Sequence, residues 1–268
     1  MQWWMQPAQE GGTLPRWVVL AYSAVLALTA GFVNAVAILL LAFPVANVTA
    51  ATTRLGMSTA NPWLYEGHLL AAIIFGFLFG AAIAGAVLAP TRAQAGPRHG
   101  ALLFVESALL VLAAAGLEDT PVRALLENLG MEQPIIQAVC AATALGMQNG
   151  LSSSFRGMAV RTTHFTGTIT DLGLMLGRSR VHGLEKWKAT ILAVTFVLFL
   201  VGGVIGLLVG GPLGGYALMI PAVTCLAVAT GCLLHSRGRS RSDVDDRRDH
   251  RDSGQTAGYV RVSTAGQN

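Results

Sequence analysis

The sequence predicts an all-α, polytopic membrane protein with about six transmembrane helices. Of its 268 residues, 53% are hydrophobic and only 12% are charged, whereas soluble domains are usually about 25% charged. Charges this sparse cannot cover the surface of a water-soluble globule of this size. Much of the surface must therefore face lipid, and six long apolar runs supply the helices.

The six apolar runs lie at 17–43, 69–88, 101–117, 135–151, 190–209 and 213–234. The first is too long for a signal-peptide core, and it can cross a hydrocarbon layer of roughly 30 Å at about 1.5 Å per residue. Pro90 ends the second run, and Pro134 precedes the fourth, where a helix tolerates proline. Pro221 lies inside the sixth, where neighbouring helices can satisfy the backbone groups that it frees.

The distribution of basic residues predicts the orientation. With both termini in the cytoplasm, every Lys and Arg except Arg54 and Arg123 lies inside, as the positive-inside rule requires. We expect a plasma (inner) membrane location. The expected organisation is a short cytoplasmic N-terminus (1–16), a first three-helix unit (17–117), an external loop (118–134), a second three-helix unit (135–235) and a disordered, basic cytoplasmic tail (236–268).

The two units resemble each other. Residues 49–56 align with 166–173 at an offset of 117, and Gly31 and Asn34 match Gly146 and Asn149 at an offset of 115. Chance matches are easy in a chain rich in Ala, Gly, Thr and Leu, but the order of the elements also repeats. Because each unit contains three spans, the second would enter the membrane from the opposite side, as in transporters with inverted repeats.

A threonine-rich stretch follows the first helix of each unit, at 47–60 and at 162–177. Both are too polar for lipid-facing helices and more apolar than typical loops. We expect re-entrant or half-helical segments that line a central path, since irregular backbone at membrane depth must face protein or a watery cavity. The alternative is a pair of interfacial loops with short surface helices.

At these residues the sequence resembles the YoaK-type family of bacterial multi-pass membrane proteins. The resemblance is carried by Gly146-Met147-Gln148-Asn149 and by Thr162-Thr163-His164-Phe165-Thr166-Gly167 through Leu172-Gly173, and it extends over most of the chain up to Leu234. The first half departs from the family pattern, because Asn34 replaces the usual Asp and Val48-Thr49-Ala50-Ala51 replaces Met-Thr-Gly-Asn. The resemblance implies a membrane fold and location, and no agreed biochemical activity.

Two sets of ionisable residues have both a functional and a structural interpretation. Glu106 lies in the third apolar run, where an ionisable group is costly and indicates function; alternatively, it lies near enough to the cytoplasmic end to reach Arg98 or headgroups. Arg54 and Asp171 hold equivalent positions in the two units. They could form a pair across the centre, or be solvated charges on opposite surfaces.

The remaining candidates are polar residues of the two units. Asn34 and Asn149 either bridge helices or contact a solute, and Gln148 adjoins Asn149. His164 could titrate near neutral pH or simply be hydrogen-bonded. The complete set of solute-path candidates is Asn34, Thr49, Thr53, Arg54, Glu106, Gln148, Asn149, Thr163, His164, Thr166, Gly167, Thr170 and Asp171.

No catalytic motif is present, and Ser152-Ser153-Ser154 has no neighbouring general base in the sequence. Cys140, Cys225 and Cys232 lie in apolar runs and indicate buried small residues, not a disulfide framework or a metal cluster. We therefore expect no cofactor, no metal and no enzymatic activity. A transporter or channel for a small polar solute is favoured over a scaffold or regulatory protein that uses the basic tail. The expected partners are the lipid bilayer, the unknown solute and possible further copies of the chain, but not nucleic acid.

Overall fold

The computed structural model describes residues 15–61, 66–89, 96–118, 120–128, 130, 132–154 and 161–234. This part of the chain is all-helical and contains no strand. Its helices are α1 (Arg16–Leu41), α2 (Val48–Ala60), α3 (Gly67–Leu88), α4 (Pro97–Leu117), α5 (Pro121–Asn128), α6 (Gln133–Ser153), α7 (Phe165–His182) and α8 (Lys186–Leu213). A 3₁₀ turn, Gly214–Leu218, connects α8 to α9 (219–234). The predicted tail (236–268) and most of the predicted N-terminus (1–16) lie outside the described residues.

Several helices are suited to a lipid environment. Four segments are long and apolar enough to cross a membrane: Arg16–Leu41, Gly67–Leu88, Pro97–Leu117 and Lys186–Leu234. Large apolar side chains point outward from α3 and α8, where Phe75 is 68% exposed and Leu208 is 70% exposed. Outward faces of this kind are unfavourable in water, so these features indicate a membrane protein. The predicted count of six spans stays a prediction.

The segment Lys186–Leu234 contains a reversal of the chain. Gly214 has a φ of 56°, a left-handed conformation that glycine adopts without steric cost, and the backbone N–H of Gly215 donates to Glu118. From this turn α9 runs back along α4. The hydroxyl of Ser107 donates to the carbonyl of Ala222 at 2.8 Å, while a Cβ on Gly100 would lie 2.9 Å from the side chain of Leu233. The two helices are therefore antiparallel.

Helices α1 and α8 lie side by side in the same direction. The guanidinium of Arg16 lies 5.6 Å from the Trp187 ring at the start of both helices. Further along, a Cβ on Gly202 would lie 2.0 Å from the carbonyl oxygen of Leu28, and a Cβ on Gly31 would lie 2.0 Å from that of Phe199. Only glycine permits backbones to approach this closely, so the small residues fix the contact.

Helices α3 and α6 repeat this arrangement. A Cβ on Gly80 would lie 2.0 Å from the carbonyl oxygen of Thr143, and a Cβ on Gly146 would lie 2.1 Å from that of Phe77. These contacts correspond to those of the α1–α8 pair. An offset of 115 takes Gly31 of α1 to Gly146 of α6, and an offset of 122 takes Gly80 of α3 to Gly202 of α8. The first long helix of each sequence unit therefore packs against a helix of the other unit.

The threonine-rich stretches form regular helices. The stretch 47–60 is α2 with its N-cap. In the stretch 162–177, residues 162–164 form a turn and the N-cap, and the rest is the first part of α7, which continues to His182. The predicted external loop 118–134 also contains the short helix α5, none of whose side chains is buried.

Candidate functional site

Asn34 holds the chain that precedes α2 against the last third of α1. The side-chain oxygen of Asn34 accepts a hydrogen bond from the backbone N–H of Ala46 at 2.9 Å. Asn34 precedes the end of α1 by seven residues, which is about 10 Å of helix. The chain leaving α1 therefore turns back along it, with Val45 and Ala46 buried, before α2 begins.

Asn149 plays the equivalent part for α7. Its side-chain oxygen accepts a hydrogen bond from the hydroxyl of Thr162 at 3.0 Å, and its amide N–H donates to the hydroxyl of Thr163. Position 163 corresponds to position 46 at the repeat offset of 117. The two asparagines, which correspond to each other in the repeat, thus hold the chain at matching points ahead of two helices.

A cavity of about 740 Å³ lies between the first turns of α2 and α7. Polar residues from both units line it beside an apolar wall that includes Phe77 and Phe199. The sequence candidates that line it are Asn34, Thr49, Arg54, Asn149, Thr163, His164 and Thr166. The structure therefore brings together most of the residues that the repeat singled out.

The electrostatic character of the cavity is positive. Arg54 and Arg161 line it, and its described lining contains neither Asp nor Glu. The first turns of two helices also face it, with residues such as Ala50 and Thr166 in the lining. Helix N-termini carry a partial positive charge and unsatisfied N–H groups. One of these is occupied, because the Asn47 side chain accepts from the N–H of Ala50 at 3.0 Å.

A second polar cluster is buried next to the cavity. Gln148 is fully buried and donates from its side-chain nitrogen to Thr29 and to Glu106, each at 2.9 Å. The thiol of Cys225 also donates to Glu106, at 3.3 Å. Arg98, the sequence alternative as a partner for Glu106, instead donates to the carbonyl of Val87. Glu106 therefore does not contact Arg98, in contrast to one of the two interpretations of the sequence.

Arg54 and Asp171 do not pair with each other, so the structure does not contain the first of the two alternatives for these charges. Asp171 lies 3.8 Å from the ammonium of Lys188, and its side chain is half exposed. The guanidinium of Arg54 lies 5.8 Å from the Phe43 ring and lines the cavity. The two charges have different partners because α7 continues beyond the cavity and carries Asp171 towards the start of α8.

Three further candidates lie on α2 or α7 outside the cavity lining. The hydroxyls of Thr53 and Thr170 each donate to the backbone carbonyl four residues earlier, those of Thr49 and Thr166. Gly167 lies against the imidazole of His164, since a Cβ there would be 2.6 Å from the ring. These residues shape the two helices and do not contact the cavity.

Sequence reasoning missed four residues of the site. Arg161 directly precedes the Thr162-Thr163 motif, and Asn47 is a typical N-cap residue, so both had a local signal. Thr29 and Cys225 had none, because each reads as an ordinary residue of an apolar helix. Only the tertiary structure brings them to Gln148 and Glu106.

Within the described residues, no group of three or more His, Cys, Asp or Glu side chains could hold a metal ion. The polar groups of the site are amides, hydroxyls, guanidinium groups, the imidazole of His164, the thiol of Cys225 and one buried carboxyl. This set is suited to binding a polar or charged solute by hydrogen bonds.

The chain matches one family model, described as a protein of unknown function (DUF1275), over residues 22–231. This match is consistent with the family resemblance found in the sequence motifs and covers the cavity and the buried cluster. No curated protein matches the chain, and no solved structure does.

Proposed function

The chain belongs to the DUF1275 family, whose function is unknown, and from its site we propose that it is a transporter or channel-like protein for a small solute. The observation that carries this proposal is the cavity of about 740 Å³ between the first turns of α2 and α7. Transporter sites commonly lie where helix ends meet near the middle of the membrane, between two repeats.

Two inverted three-helix halves are part of the proposal. It is supported by the reciprocal glycine contacts, in which α1 packs on α8 as α6 packs on α3. It is also supported by the matching roles of Asn34 and Asn149. In this arrangement α2 and α7 approach the cavity as half-helices from opposite membrane faces, and rocking of one half against the other would alternate access to it.

We infer that the solute is an anion with an apolar part. Arg54, Arg161 and two helix N-termini supply positive potential, and helix N-termini bind anions through their free N–H groups. The apolar wall, including Ile74 and Phe77, favours an organic carboxylate over a fully hydrated inorganic ion. We propose that the protein lies in the inner membrane with both termini in the cytoplasm.

A flux assay tests the proposal. The full chain is reconstituted in liposomes and tested with benzoate, acetate, phosphate, glycerol and choline as probes. We expect flux of at least one organic anion, and we expect Thr49→Ala and Thr166→Ala to reduce it several-fold because both residues line the cavity.

Matched controls are available one turn away on the same helices. Thr53→Ala and Thr170→Ala remove hydroxyls that bond only to backbone carbonyls, so they should leave flux unchanged. Equal loss in all four variants would contradict a path through the cavity. Absence of flux for every probe would contradict the transporter proposal and favour a scaffold or regulatory protein.

A membrane hydrolase has less support. His99 does lie 3.1 Å from the hydroxyl of Ser154, a neighbour that the sequence did not indicate. However, that hydroxyl donates to the carbonyl of Leu151 at 2.7 Å, whereas a nucleophilic serine directs its proton to the base. The contact is that of a helix end held in place, and we propose no enzymatic activity.

A further inference from the structure

Glu106 occupies the middle of a helix that is suited to crossing the membrane. It is fully buried, and it lies about 14 Å from the start of α4 and about 16 Å from its end at 1.5 Å per residue. Neither end of the helix brings water or headgroups to this carboxyl.

The surroundings of this carboxyl contain no positive charge among the described residues. Oε1 accepts from Gln148 and from Cys225, while Oε2 is buried and has no hydrogen-bond partner in the described part of the chain. The titratable groups near it are Tyr22 of α1 and Cys225 of α9. Cys232 of α9 lies near Tyr22, and His99, two turns earlier on α4, contacts the hydroxyl of Ser154. The hydroxyl of Tyr22 and the thiols of Cys225 and Cys232 are neutral in their ordinary forms at neutral pH.

Burying a carboxylate without a cation costs several kcal/mol or more. A proton on Oε2 removes that charge, and the Oε1 atom can still accept the two hydrogen bonds that the structure gives it. The geometry is therefore that of a neutral carboxylic acid.

Glu106 is also connected to the cavity. Gln148 donates to Glu106, and its side-chain oxygen accepts from Thr162 at 3.4 Å. Thr162 donates to Asn149, which holds Thr163, and both Asn149 and Thr163 line the cavity. A continuous chain of hydrogen bonds thus joins Glu106 to the cavity wall.

We propose that Glu106 is a proton-binding site coupled to the cavity. It holds a proton in the conformation described here and releases it to water, leaving the carboxylate, in a conformation that hydrates the cluster. Because coupling between two binding sites is reciprocal, occupation of the cavity changes the proton affinity of Glu106, and protonation changes the affinity of the cavity. The physiological meaning of this coupling, proton-linked transport, rests on the proposed function.

Infrared spectroscopy of the full chain in lipid nanodiscs tests the proton directly. A protonated carboxyl has a C=O stretching band separate from those of carboxylates and amides. We expect this band at neutral pH in the unmodified chain, its loss in Glu106→Gln, and its displacement in Glu106→Asp. The matched control is Glu127→Gln, which changes a carboxylate that is 56% exposed and should leave the band in place.

A band that persists in Glu106→Gln, or that is absent from the unmodified chain at neutral pH, would overturn the proposal. If Glu106→Gln does not fold, the displacement in Glu106→Asp decides the assignment.

The coupling is tested by the same band. Asn149→Ala breaks the connection at the cavity wall, and we expect it to move the pH at which half of the band is lost. Thr170→Ala, on the other side of α7, should not move it. An unchanged midpoint in Asn149→Ala overturns the coupling. None of these measurements needs a solute. A protein that shows the band but no flux would therefore contradict the proposed function and still support the proton site.

Discussion

The asparagines at positions 34 and 149 show how much one side chain determines in this protein. Each accepts a hydrogen bond from the chain segment that precedes a helix, α2 for Asn34 and α7 for Asn149. Without such a partner, the backbone or hydroxyl groups of these segments would be buried unsatisfied at a cost of about 1–3 kcal/mol each. The amides therefore fix where α2 and α7 begin, and so where the cavity lies.

The charge of the cavity makes a prediction at the residue scale. Arg161→Gln and Arg54→Gln each remove one positive charge from the lining, so each should lower the flux of benzoate several-fold while leaving that of glycerol unchanged. The measurement is the ratio of the two fluxes in liposomes. Arg123→Gln is the control, because Arg123 lies on the exposed helix α5 and pairs with Glu127 at 2.9 Å.

An equal decrease in the benzoate and glycerol fluxes would instead indicate a structural role for these arginines. A decrease in Arg123→Gln would indicate that surface charge, not the cavity, sets the preference for anions.

The sequence indicated the cavity better than the buried cluster. Asn34, Asn149 and the threonines were identifiable because they recur at a nearly constant offset and interrupt apolar runs. Arg54 and Asp171 also recur at that offset, yet they are not partners, since a repeat relates positions and does not state which contacts form. Thr29 and Cys225 could not be found at all, because their role depends on four helices (α1, α4, α6 and α9) meeting around Gln148 and Glu106.

At the scale of helices, close backbone contact is the dominant feature. The α1–α8 and α3–α6 pairs each have glycines within reach of a carbonyl oxygen of the partner helix. In lipid there is little hydrophobic drive for association, so this tight packing supplies much of the stability. The positions of the long helices followed from apolar runs in the sequence, but which helices pair with which did not.

The packing predicts opposite effects for two glycines of the same helix. Gly80→Ala places a Cβ 2.0 Å from the carbonyl oxygen of Thr143, which forces α3 and α6 apart, so we expect destabilisation by about 1–3 kcal/mol. Gly85→Ala meets no atom within 4 Å and should be neutral or stabilising by up to about 1 kcal/mol. Thermal unfolding in detergent measures both.

The second helix pair offers the corresponding comparison. Gly202→Ala should behave like Gly80→Ala, and Gly211→Ala, which also meets no atom within 4 Å, should behave like Gly85→Ala. A Gly80→Ala protein as stable as the unmodified chain would show that the helices are not packed as described.

In the whole molecule, the first long helix of each half packs against a helix of the other half. The sequence predicts the repeat from the order of its elements, and in the proposed arrangement of three spans per half the halves would enter the membrane in opposite senses. The sequence could not show that each half packs its first helix against the other half, because contacts between distant segments leave no local pattern.

The orientation makes the prediction for the whole molecule. Leu125→Cys on α5 should react with a membrane-impermeant maleimide added outside intact spheroplasts, whereas Leu184→Cys between α7 and α8 should react only after permeabilisation. Both side chains are exposed, at 58% and 41%, so reactivity reports the side of the membrane. The unmodified chain is the control, since Cys140 and Cys225 are buried and Cys232 is partly buried.

Reaction of both residues from the same side would contradict inverted halves, because the loop between α4 and α6 and the loop after α7 would then share a face. This result would not contradict the cavity or the proton site, but it would contradict access to them from alternate sides of the membrane.

The pairing of α1 with α8 also has a consequence for biosynthesis. The partner of α1 begins only at Lys186, and at about 5–20 residues per second a ribosome needs roughly 7 to 30 s to reach it after completing Leu41. During that interval the glycine-bearing face of α1 has no α8 to pack against. Quality-control proteases and insertion chaperones that survey nascent membrane proteins would meet this chain at its most vulnerable stage there.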